Sequence, residues 1–258
     1  MPQTDVSVTL VTENSSLLER AKATGDQFGF VLRDEAPAAG LYLYLAESGL
    51  ELRQAAAGAP GPVRVDFIGG KLGHRLRFGG GRGQPLARAA GMKPRFSPSV
   101  WDATAGLGRD GFVLASLGSR VTLCERSPVL AALLQDGLRR ACADVTLGEW
   151  VGERLTLIHG DSRTLLERLP DDRRPDTVYL DPMYPAGKRQ VLVKKEMRAL
   201  QQLLGPDRDS AALLDSALRV SRRRVVVKRP KRAGWLHDLR PDTSVESRKT
   251  RYDIYVTL

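Results

Sequence analysis

Cysteine is scarce in this 258-residue sequence, with Cys124 and Cys142 as its two examples. Two cysteines are too few for a disulfide framework, and their spacing is not that of zinc ligands. We interpret both as small buried hydrophobic residues, and we expect no bound metal.

Long apolar runs are absent as well. No uninterrupted stretch approaches the ~20 residues that are needed to span a bilayer. The first residues, Met1 to Asp5, lack the basic and then apolar arrangement of a signal peptide. We therefore expect a cytoplasmic protein without a membrane partner. The hydrophobic fraction of 42% is nevertheless large enough for a substantial core.

Acidic residues are fewer than basic ones: the sequence has 30 Asp and Glu and 40 Lys and Arg, which gives a net charge of +10. The basic excess is concentrated in residues 219–232, which contain eight basic residues and no acidic one. This distribution favours a polyanionic partner, since phosphate contacts supply most of the sequence-independent affinity for nucleic acid. Simple solubility is the alternative, but it explains the clustering less well.

Residues 1–78 have the pattern of a small α+β module. A helix is predicted at 17–24, and strands are predicted at 6–11, 41–45 and 63–67. The glycine-rich residues 79–83 and a short helix at 84–90, closed by Gly91, predict a hinge and linking helix over 79–96.

Residues 97–258 show a regular alternation of strands and helices. Strands are predicted at 100–104, 120–125, 155–158, 177–181 and 224–228, followed by hairpin strands at 243–246 and 251–256. This alternation predicts an α/β fold of the Rossmann-like type, with a mostly parallel sheet, helices on both faces and a C-terminal β-hairpin. Ligands of such folds bind at the carboxyl ends of the strands.

The first strand of this domain leads into a glycine-rich turn, Asp102-Ala-Thr-Ala-Gly-Leu-Gly108. Glycines let the backbone approach a ligand closely, and the helix that follows offers free N–H groups. Glu125 ends the next strand, 19 residues after Gly106, where a carboxylate can bind both ribose hydroxyls of an adenosine. Asp102 would repel a pyrophosphate and attract an ammonium or sulfonium, which favours S-adenosyl-L-methionine over NAD.

A later strand ends in the sequence Asp181-Pro-Met-Tyr184. The Asp181 carboxylate and the Pro182 carbonyl can accept hydrogen bonds from an amine, and the Tyr184 ring can stack on a planar base. Two acceptors and a stacking face suit a nucleobase with an exocyclic amino group. A strand followed by an ordinary β-turn is the alternative, because Asp-Pro often opens a turn.

Five segments together resemble class I S-adenosylmethionine-dependent methyltransferases, and among them the bacterial small-subunit ribosomal RNA guanine-N2 methyltransferase family known as RsmJ. They are residues 102–110, 124–126, 179–185, 193–198 and 225–230. The resemblance covers about the C-terminal two-thirds of the chain and implies a methyltransferase domain over 97–258. Met183 departs from the Asp/Asn-Pro-Pro-Tyr signature of amino-group methyltransferases, which has a second proline there.

The resemblance implies a set of contacts to S-adenosyl-L-methionine. Arg109 and Asp110 fall at its methionine end, Glu125 and Arg126 at the ribose and adenine, and Asp161 and Ser162 at the adenine edge. Arg109 and Arg126 could instead be plain surface charges. The complete set of expected cofactor-binding residues is Asp102, Gly106, Gly108, Arg109, Asp110, Glu125, Arg126, Asp161, Ser162 and Asp181.

The resemblance also implies a reaction, direct methyl transfer to the N2 amine of a guanine in 16S ribosomal RNA, free or within the small ribosomal subunit. Asp181, Pro182 and Tyr184 are the expected catalytic residues. Candidates for RNA phosphate contacts are Lys194, Lys195, Lys228, Arg229, Lys231 and Arg232. Two alternatives stay open: amino methylation of adenine or cytosine in another nucleic acid, and a non-catalytic RNA-binding assembly factor.

Overall fold

The computed structural model describes residues 8–69, 81–183 and 209–257. The predicted helix at 194–204 lies outside these ranges. Among the helices within them, none is long and apolar enough to cross a membrane. Two sheets organise the described chain, and each has helices packed against it.

The N-terminal sheet has four strands in the order β2-β1-β3-β4. Strand β1 runs parallel to both of its neighbours, whereas β3 and β4 form an antiparallel hairpin. A helix, α1, connects β1 to β2 and ends at Gly29, whose left-handed φ of 76° suits glycine. The elements are β1 (Thr9–Val11), α1 (Leu18–Phe28), β2 (Val31–Arg33), β3 (Gly40–Ala46) and β4 (Gly49–Ala55).

The predicted strand at 63–67 is wrong. Val63 forms one isolated bridge with Leu52, and no ladder follows it. The alternation that suggested a strand is real, since Val63, Val65 and Phe67 are all buried. It serves an extended segment that inserts its apolar side chains into the core instead of pairing along β4.

The second sheet has seven strands in the order β10-β11-β9-β8-β5-β6-β7. Strands β5 to β9 are parallel, and β11 and β10 are added antiparallel at one edge, as the predicted hairpin requires. The strands are β5 (Val100–Asp102), β6 (Val121–Glu125), β7 (Leu155–His159), β8 (Thr177–Leu180), β9 (Arg224–Pro230), β10 (Thr243–Glu246) and β11 (Thr250–Val256).

The helices around this sheet begin where the sequence signals predicted. Ser127 caps α4, with Pro128 at its first position, and Asp161 caps α6 by accepting from two backbone N–H groups. The helices are α2 (Pro85–Ala89), α3 (Arg109–Ser116), α4 (Pro128–Cys142), α5 (Gly148–Arg154), α6 (Ser162–Glu167) and α7 (Ser210–Val220). The sequence analysis missed α5.

The cysteine interpretation is half correct. Cys124 is fully buried in β6, whereas Cys142 is exposed at the end of α4. The burial of α4 explains this difference, because its apolar positions face the core while its last turn, with Arg139 and Arg140, lies near the surface.

The N-terminal sheet and the large sheet share one apolar core. A single cluster of buried side chains includes Leu10 and Leu52 from the first and Leu123 from the second, with α4 between them. The Phe67 ring stacks on Phe112 with centroids 4.1 Å apart. The predicted boundaries at 78 and 96 therefore separate two sheets in one continuous core, and as domain limits they stay a prediction.

One carboxylate ties α4 to the N-terminal sheet. Asp136 is 5% exposed, and its Oδ2 accepts from the backbone N–H of Leu50 at 2.9 Å and from Nε of Arg140 at 3.0 Å. Its other oxygen pairs with Arg20 on α1. Burial of a carboxylate is tolerated here because each oxygen has hydrogen-bonding partners.

Candidate active site

The carboxyl ends of the parallel strands meet at one edge of the large sheet. The chain proceeds from β5 outward through β6 to β7 and then returns to the other side of β5 as β8. This reversal opens a crevice beside β5, which is the usual ligand position in such sheets. Asp102, Glu125 and Asp181 lie at or just after the ends of β5, β6 and β8, as the sequence predicted.

Gly106 and Gly108, the two glycines of the turn after β5, have different surroundings. Both are left-handed, with φ of 55° at Gly106 and 69° at Gly108. A Cβ on Gly108 would lie 2.6 Å from Cδ1 of Leu134, so the core requires glycine there. A Cβ on Gly106 would meet nothing closer than the Thr104 carbonyl at 3.9 Å, so this glycine borders open space at the crevice.

Glu125 is fixed by the backbone on both sides of it. Its Oε2 accepts from the N–H of Gly106 at 2.7 Å, and its Oε1 accepts from the N–H of Ser127 at 2.8 Å. The residue is 7% exposed. These two backbone contacts set the orientation of the carboxylate, which is a group that can accept from ribose hydroxyls.

Asp102 is buried at 2% exposure, and its Oδ1 accepts from the N–H of Thr104 at 3.3 Å. Burial, followed by the nearby charge of Asp110, raises the pKa of Asp102 well above its ordinary value. Because Asp102 is buried, the more accessible carboxylates of this edge are Asp110 and Asp181, whose side chains are 12% and 41% exposed.

Lys228 of β9 lies between those two carboxylates. Its Nζ is 2.7 Å from Oδ2 of Asp181 and 2.8 Å from Oδ2 of Asp110, which also accepts from the Tyr179 hydroxyl at 2.8 Å. Burial alone would lower the pKa of Lys228, but the two carboxylates outweigh burial and raise this pKa well above its ordinary value. The side chain is a permanent ammonium at the centre of the edge.

The end of β8 is attached to the turn after β5. The Asp181 N–H donates to Oγ1 of Thr104 at 2.6 Å, and Pro182 is buried immediately after it. Asp181 is thus held through its backbone by β5 and through its carboxylate by β9. Tyr184, the third predicted catalytic residue, lies outside the described residues.

The remaining predicted cofactor residues occupy the rim of the crevice. Arg126 binds both oxygens of Asp209 at 2.9 and 3.0 Å, just ahead of α7. Asp161 accepts from the N–H of Arg163 at 2.8 Å as the cap of α6, and Ser162 donates to the Ala103 carbonyl at 2.8 Å. Arg109 is the exposed first residue of α3. Their contacts to a cofactor stay predictions.

The predicted RNA contacts have varied environments. Lys194 and Lys195 lie outside the described ranges. Arg229 is 6% exposed and donates to the Gly234 carbonyl at 3.0 Å, whereas Lys231 pairs with Glu246 at 2.7 Å and Arg232 is exposed. Phosphate contacts stay a prediction for all six residues, and Lys228 has the additional role of holding two carboxylates.

Three residues of the site were missed in the sequence. Thr104 anchors Asp181, Tyr179 anchors Asp110, and Asp209 anchors Arg126. Thr104 and Tyr179 stand inside the motifs that carried the resemblance, so attention to each polar group there would have found them. Nothing in the sequence around Asp209 marks it.

These residues fit S-adenosyl-L-methionine. The glycine turn after β5 borders open space at the crevice. Glu125, 19 residues after Gly106 in the chain, supplies a fixed carboxylate for the ribose hydroxyls. Asp110 and Asp181, which both contact Lys228, supply acceptors for an amino group and negative charge for a sulfonium. In the described part of the chain, no group of three or more His, Cys, Asp or Glu residues is arranged to hold a metal ion.

Comparison with known proteins agrees with this geometry. A protein-family model described as "Putative SAM-dependent methyltransferase" matches residues 25–257. A crystal structure of a SAM-dependent methyltransferase from Neisseria gonorrhoeae has a TM-score of 0.78 and 34% sequence identity, with 96% of each chain covered. The fold is that of a class I S-adenosylmethionine-dependent methyltransferase.

Two relatives narrow the assignment. The chain is 48% identical over 257 residues to ribosomal RNA small subunit methyltransferase J of Thioalkalivibrio sulfidiphilus (strain HL-EbGR7), with 100% of both chains covered. It is 49% identical over 247 residues to the protein of the same name from Aeromonas hydrophila subsp. hydrophila, with 96% and 97% covered. The chain belongs to this methyltransferase family, which confirms the resemblance seen in the sequence and its cofactor, S-adenosyl-L-methionine.

Proposed function

We propose that this protein transfers a methyl group from S-adenosyl-L-methionine to the exocyclic N2 amine of a guanine in 16S ribosomal RNA, in the cytoplasm. The names of the relatives support the ribosomal RNA of the small subunit as substrate. The observation that carries the amine as acceptor is Asp181, whose carboxylate and backbone are both held in place at the crevice.

On the cofactor side, the fixed Glu125 carboxylate accepts from the ribose hydroxyls, and Asp161 and Ser162 border the adenine. Asp110 faces the methionine end, where its charge favours an ammonium group. When bound, S-adenosyl-L-methionine supplies an electrophilic methyl group on a sulfonium. The chain's contribution on this side is to bind and orient, since all of these groups are fixed by hydrogen bonds within the fold.

On the acceptor side, the Asp181 carboxylate and the Pro182 carbonyl accept hydrogen bonds from the two N2 hydrogens, and Tyr184 stacks on the guanine. The N2 lone pair is delocalised into the ring, so these bonds favour the tetrahedral nitrogen that can attack. A new N–C bond forms as the C–S bond breaks and its electron pair goes to sulfur. The surplus proton on nitrogen passes to water, and no strong general base is needed. Holding both partners in near-attack geometry supplies much of the rate.

Lys228 is a positioning residue in this scheme. Its ammonium binds Oδ2 of Asp181 and so fixes the orientation of the carboxylate that accepts from the amine. It also balances two carboxylates that would otherwise repel each other across the crevice. Lys228 is also one of the residues predicted to contact an RNA phosphate, and the positioning role is additional to that contact.

The experiment that tests the function is methyl transfer from labelled S-adenosyl-L-methionine to RNA from cells that lack the gene. Small ribosomal subunits and protein-free 16S RNA are used in parallel, and the products are digested to nucleosides and identified by mass. We expect label in N2-methylguanosine. Asp181→Asn should remove the transfer, whereas Asp172→Asn, at an exposed aspartate ahead of β8 on the opposite edge, should not.

The other outcomes are equally clear. Label in an amino-methylated adenine or cytosine would replace guanine as the target. RNA binding and cofactor binding without transfer to any RNA would contradict the enzymatic proposal and favour an assembly factor.

A further inference from the structure

The loop that follows β9 lies at the same edge of the sheet as the candidate active site. Strand β9 pairs with β8 as far as Val227 and Leu180 and then continues to Pro230 beyond the end of β8. Across the rim, Arg126 binds Asp209, and the next residue, Ser210, has its hydroxyl 3.4 Å from Nε2 of His237 in this loop. The loop thus borders the position of the adenine-side residues.

This loop is held in one conformation by the fold. Leu236 is 5% exposed within the apolar cluster that also contains Leu180. Arg229 donates twice to the Gly234 carbonyl, and the Tyr255 hydroxyl donates to the Leu239 carbonyl at 2.9 Å. Such contacts on both sides of a short loop fix the direction of its side chains.

Two consecutive residues of the loop are in the left-handed region. His237 has a φ of 50° and Asp238 a φ of 55°, and neither is glycine. Such conformations cost free energy and are enriched at functional sites. They occur here in the short helical turn Leu236–Asp238, where Leu236 is buried in the core and its neighbour Trp235 is exposed.

Trp235 is unlike the other two tryptophans of the chain. Its side chain is 42% exposed, whereas Trp101 is 5% exposed and the Trp150 ring packs 5.0 Å from Phe112. Exposure of this indole ring to water costs the protein the stabilisation that burial of the ring would provide. A ring held in this way is already ordered for stacking on a partner.

Basic residues lie at the start of this loop and on the turn packed against it. The N–H of Lys231 donates to the Lys249 carbonyl at 3.1 Å, so the turn between β10 and β11 lies against the start of the loop. Glu246 pairs with Lys231, while the remaining cations are exposed. We call the four residues Lys231, Arg232, Arg248 and Lys249 the basic rim. Arg248 and Lys249 lie outside the run of basic residues seen in the sequence.

We propose that Trp235 and the basic rim bind a single-stranded segment of the RNA substrate, with one base outside the target nucleotide stacked on the indole and its phosphates on the rim. The inference rests on the proposed function, because it supplies the polyanion. An aromatic face beside a basic track is how proteins hold unpaired nucleic acid without reading its sequence. Four cations on this loop and on the turn against its start match phosphates better than an apolar protein surface.

The test measures binding and turnover separately. Wild type, Trp235→Ala, Trp235→Phe, Trp235→Leu and the exposed-site control Val145→Ala are titrated with protein-free 16S RNA and with oligouridylate. Trp235→Ala should bind both about 5- to 150-fold more weakly, the range of one lost base stack. Trp235→Phe should keep most of the affinity while losing the fluorescence quenching that stacking causes. In methyl transfer, Trp235→Ala should raise KM with kcat nearly unchanged.

The rim is tested through salt. Arg248→Ala should lower the slope of log affinity against log salt by about 0.7, the contribution of one phosphate contact on a single strand. The matched control is Arg173→Ala, an exposed arginine ahead of β8 at the opposite edge, which should leave the slope unchanged. Equal melting temperatures and equal cofactor affinities show that the variants are folded.

Three results would overturn the inference: wild-type RNA affinity in folded Trp235→Ala, full affinity in Trp235→Leu, or equal slopes for the two arginine variants. Full affinity in Trp235→Leu would indicate apolar packing instead of stacking. Failure of the proposed function looks different, because a protein that binds RNA through Trp235 but makes no N2-methylguanosine keeps this site and loses the reaction.

Discussion

At the scale of single residues, the ammonium of Lys228 controls the candidate active site. It bridges carboxylates that come from two separate elements, α3 and the end of β8, so its removal changes both. A cation at this distance stabilises the ionised form of each carboxylate. The ammonium therefore fixes the position of the Asp181 carboxylate relative to α3.

We predict that Lys228→Met lowers kcat for methyl transfer by about 100-fold, the cost of misplacing a reacting group by about 1 Å. Lys228→Arg should restore part of the rate, because its guanidinium can still pair with Asp181 and Asp110. An equal loss in both variants, together with lowered melting temperatures, would mean that Lys228 is needed only for folding.

The two cysteines allow a second prediction at this scale. Burial raises the pKa of Cys124 to about 12, so at pH 8 only about one thiol in ten thousand is a thiolate. Cys142 is exposed. Alkylation of the native protein at pH 8, followed by peptide mass analysis, should label Cys142 and spare Cys124. Equal labelling of both would contradict the buried position of β6.

At the scale of elements, the turn between β5 and α3 depends on a glycine that a ligand does not explain. Gly108 opens α3 in the left-handed region, against side chains that cannot retreat. Leu134 is fully buried, so even its terminal methyl group has no free space to occupy.

We expect Gly108→Ala to destabilise the protein by about 1–2 kcal/mol for backbone conformation and by about 1–3 kcal/mol for overpacking. Gly29→Ala is the matched control, because Gly29 has a φ of 76° but no atom within 4 Å of an added Cβ. Denaturant unfolding of both variants measures the difference. Equal losses would show that the core around Leu134 can relax.

The joint between α4 and the N-terminal sheet gives another prediction. Asp136→Ala removes a buried carboxylate and leaves Arg20 and Arg140 without it, which should lower the free energy of unfolding by about 3–5 kcal/mol. Glu19→Ala breaks the exposed pair with Lys22 and should have no measurable effect. Chemical denaturation compares the two. A small loss for Asp136→Ala would mean that the apolar contacts alone hold the joint.

The sequence predicted the elements of the large sheet well, since apolar, β-branched runs such as that of β9 are decisive where both faces of a strand are buried. The strand prediction failed at residues 63–67, because their alternating buried side chains do not belong to a paired strand. The sequence also did not predict β4, a strand that contains charged residues but is buried by its neighbours. In the site, spacing placed Glu125 and Asp181. It could not place Lys228 beside Asp181, because that depends on the register in which Val227 pairs with Leu180.

At the scale of the whole molecule, the two sheets share one apolar core. Their side chains form one contiguous core, with α4 and the Phe67–Phe112 stack in the middle. Neither sheet can lose its partner without exposing that core to water.

We predict a single cooperative unfolding transition for the whole chain. In scanning calorimetry, the calorimetric enthalpy should equal the van't Hoff enthalpy, and fluorescence of the tryptophans should follow far-ultraviolet circular dichroism through the same midpoint. Two separated transitions would show that residues 1–78 unfold independently and would support the domain boundary that the sequence predicted.

The position of β11 has a consequence for biosynthesis. This strand is translated after β9 and β10 but lies between them, and it supplies the pairing partners of both. Until the ribosome has passed Val256, the Val225–Val227 edge of β9 has no native neighbour on that side, and β10 has no attachment to the sheet. From the synthesis of β9 until that of β11, the nascent chain therefore carries an open, β-branched edge, and β11 is the strand that closes it.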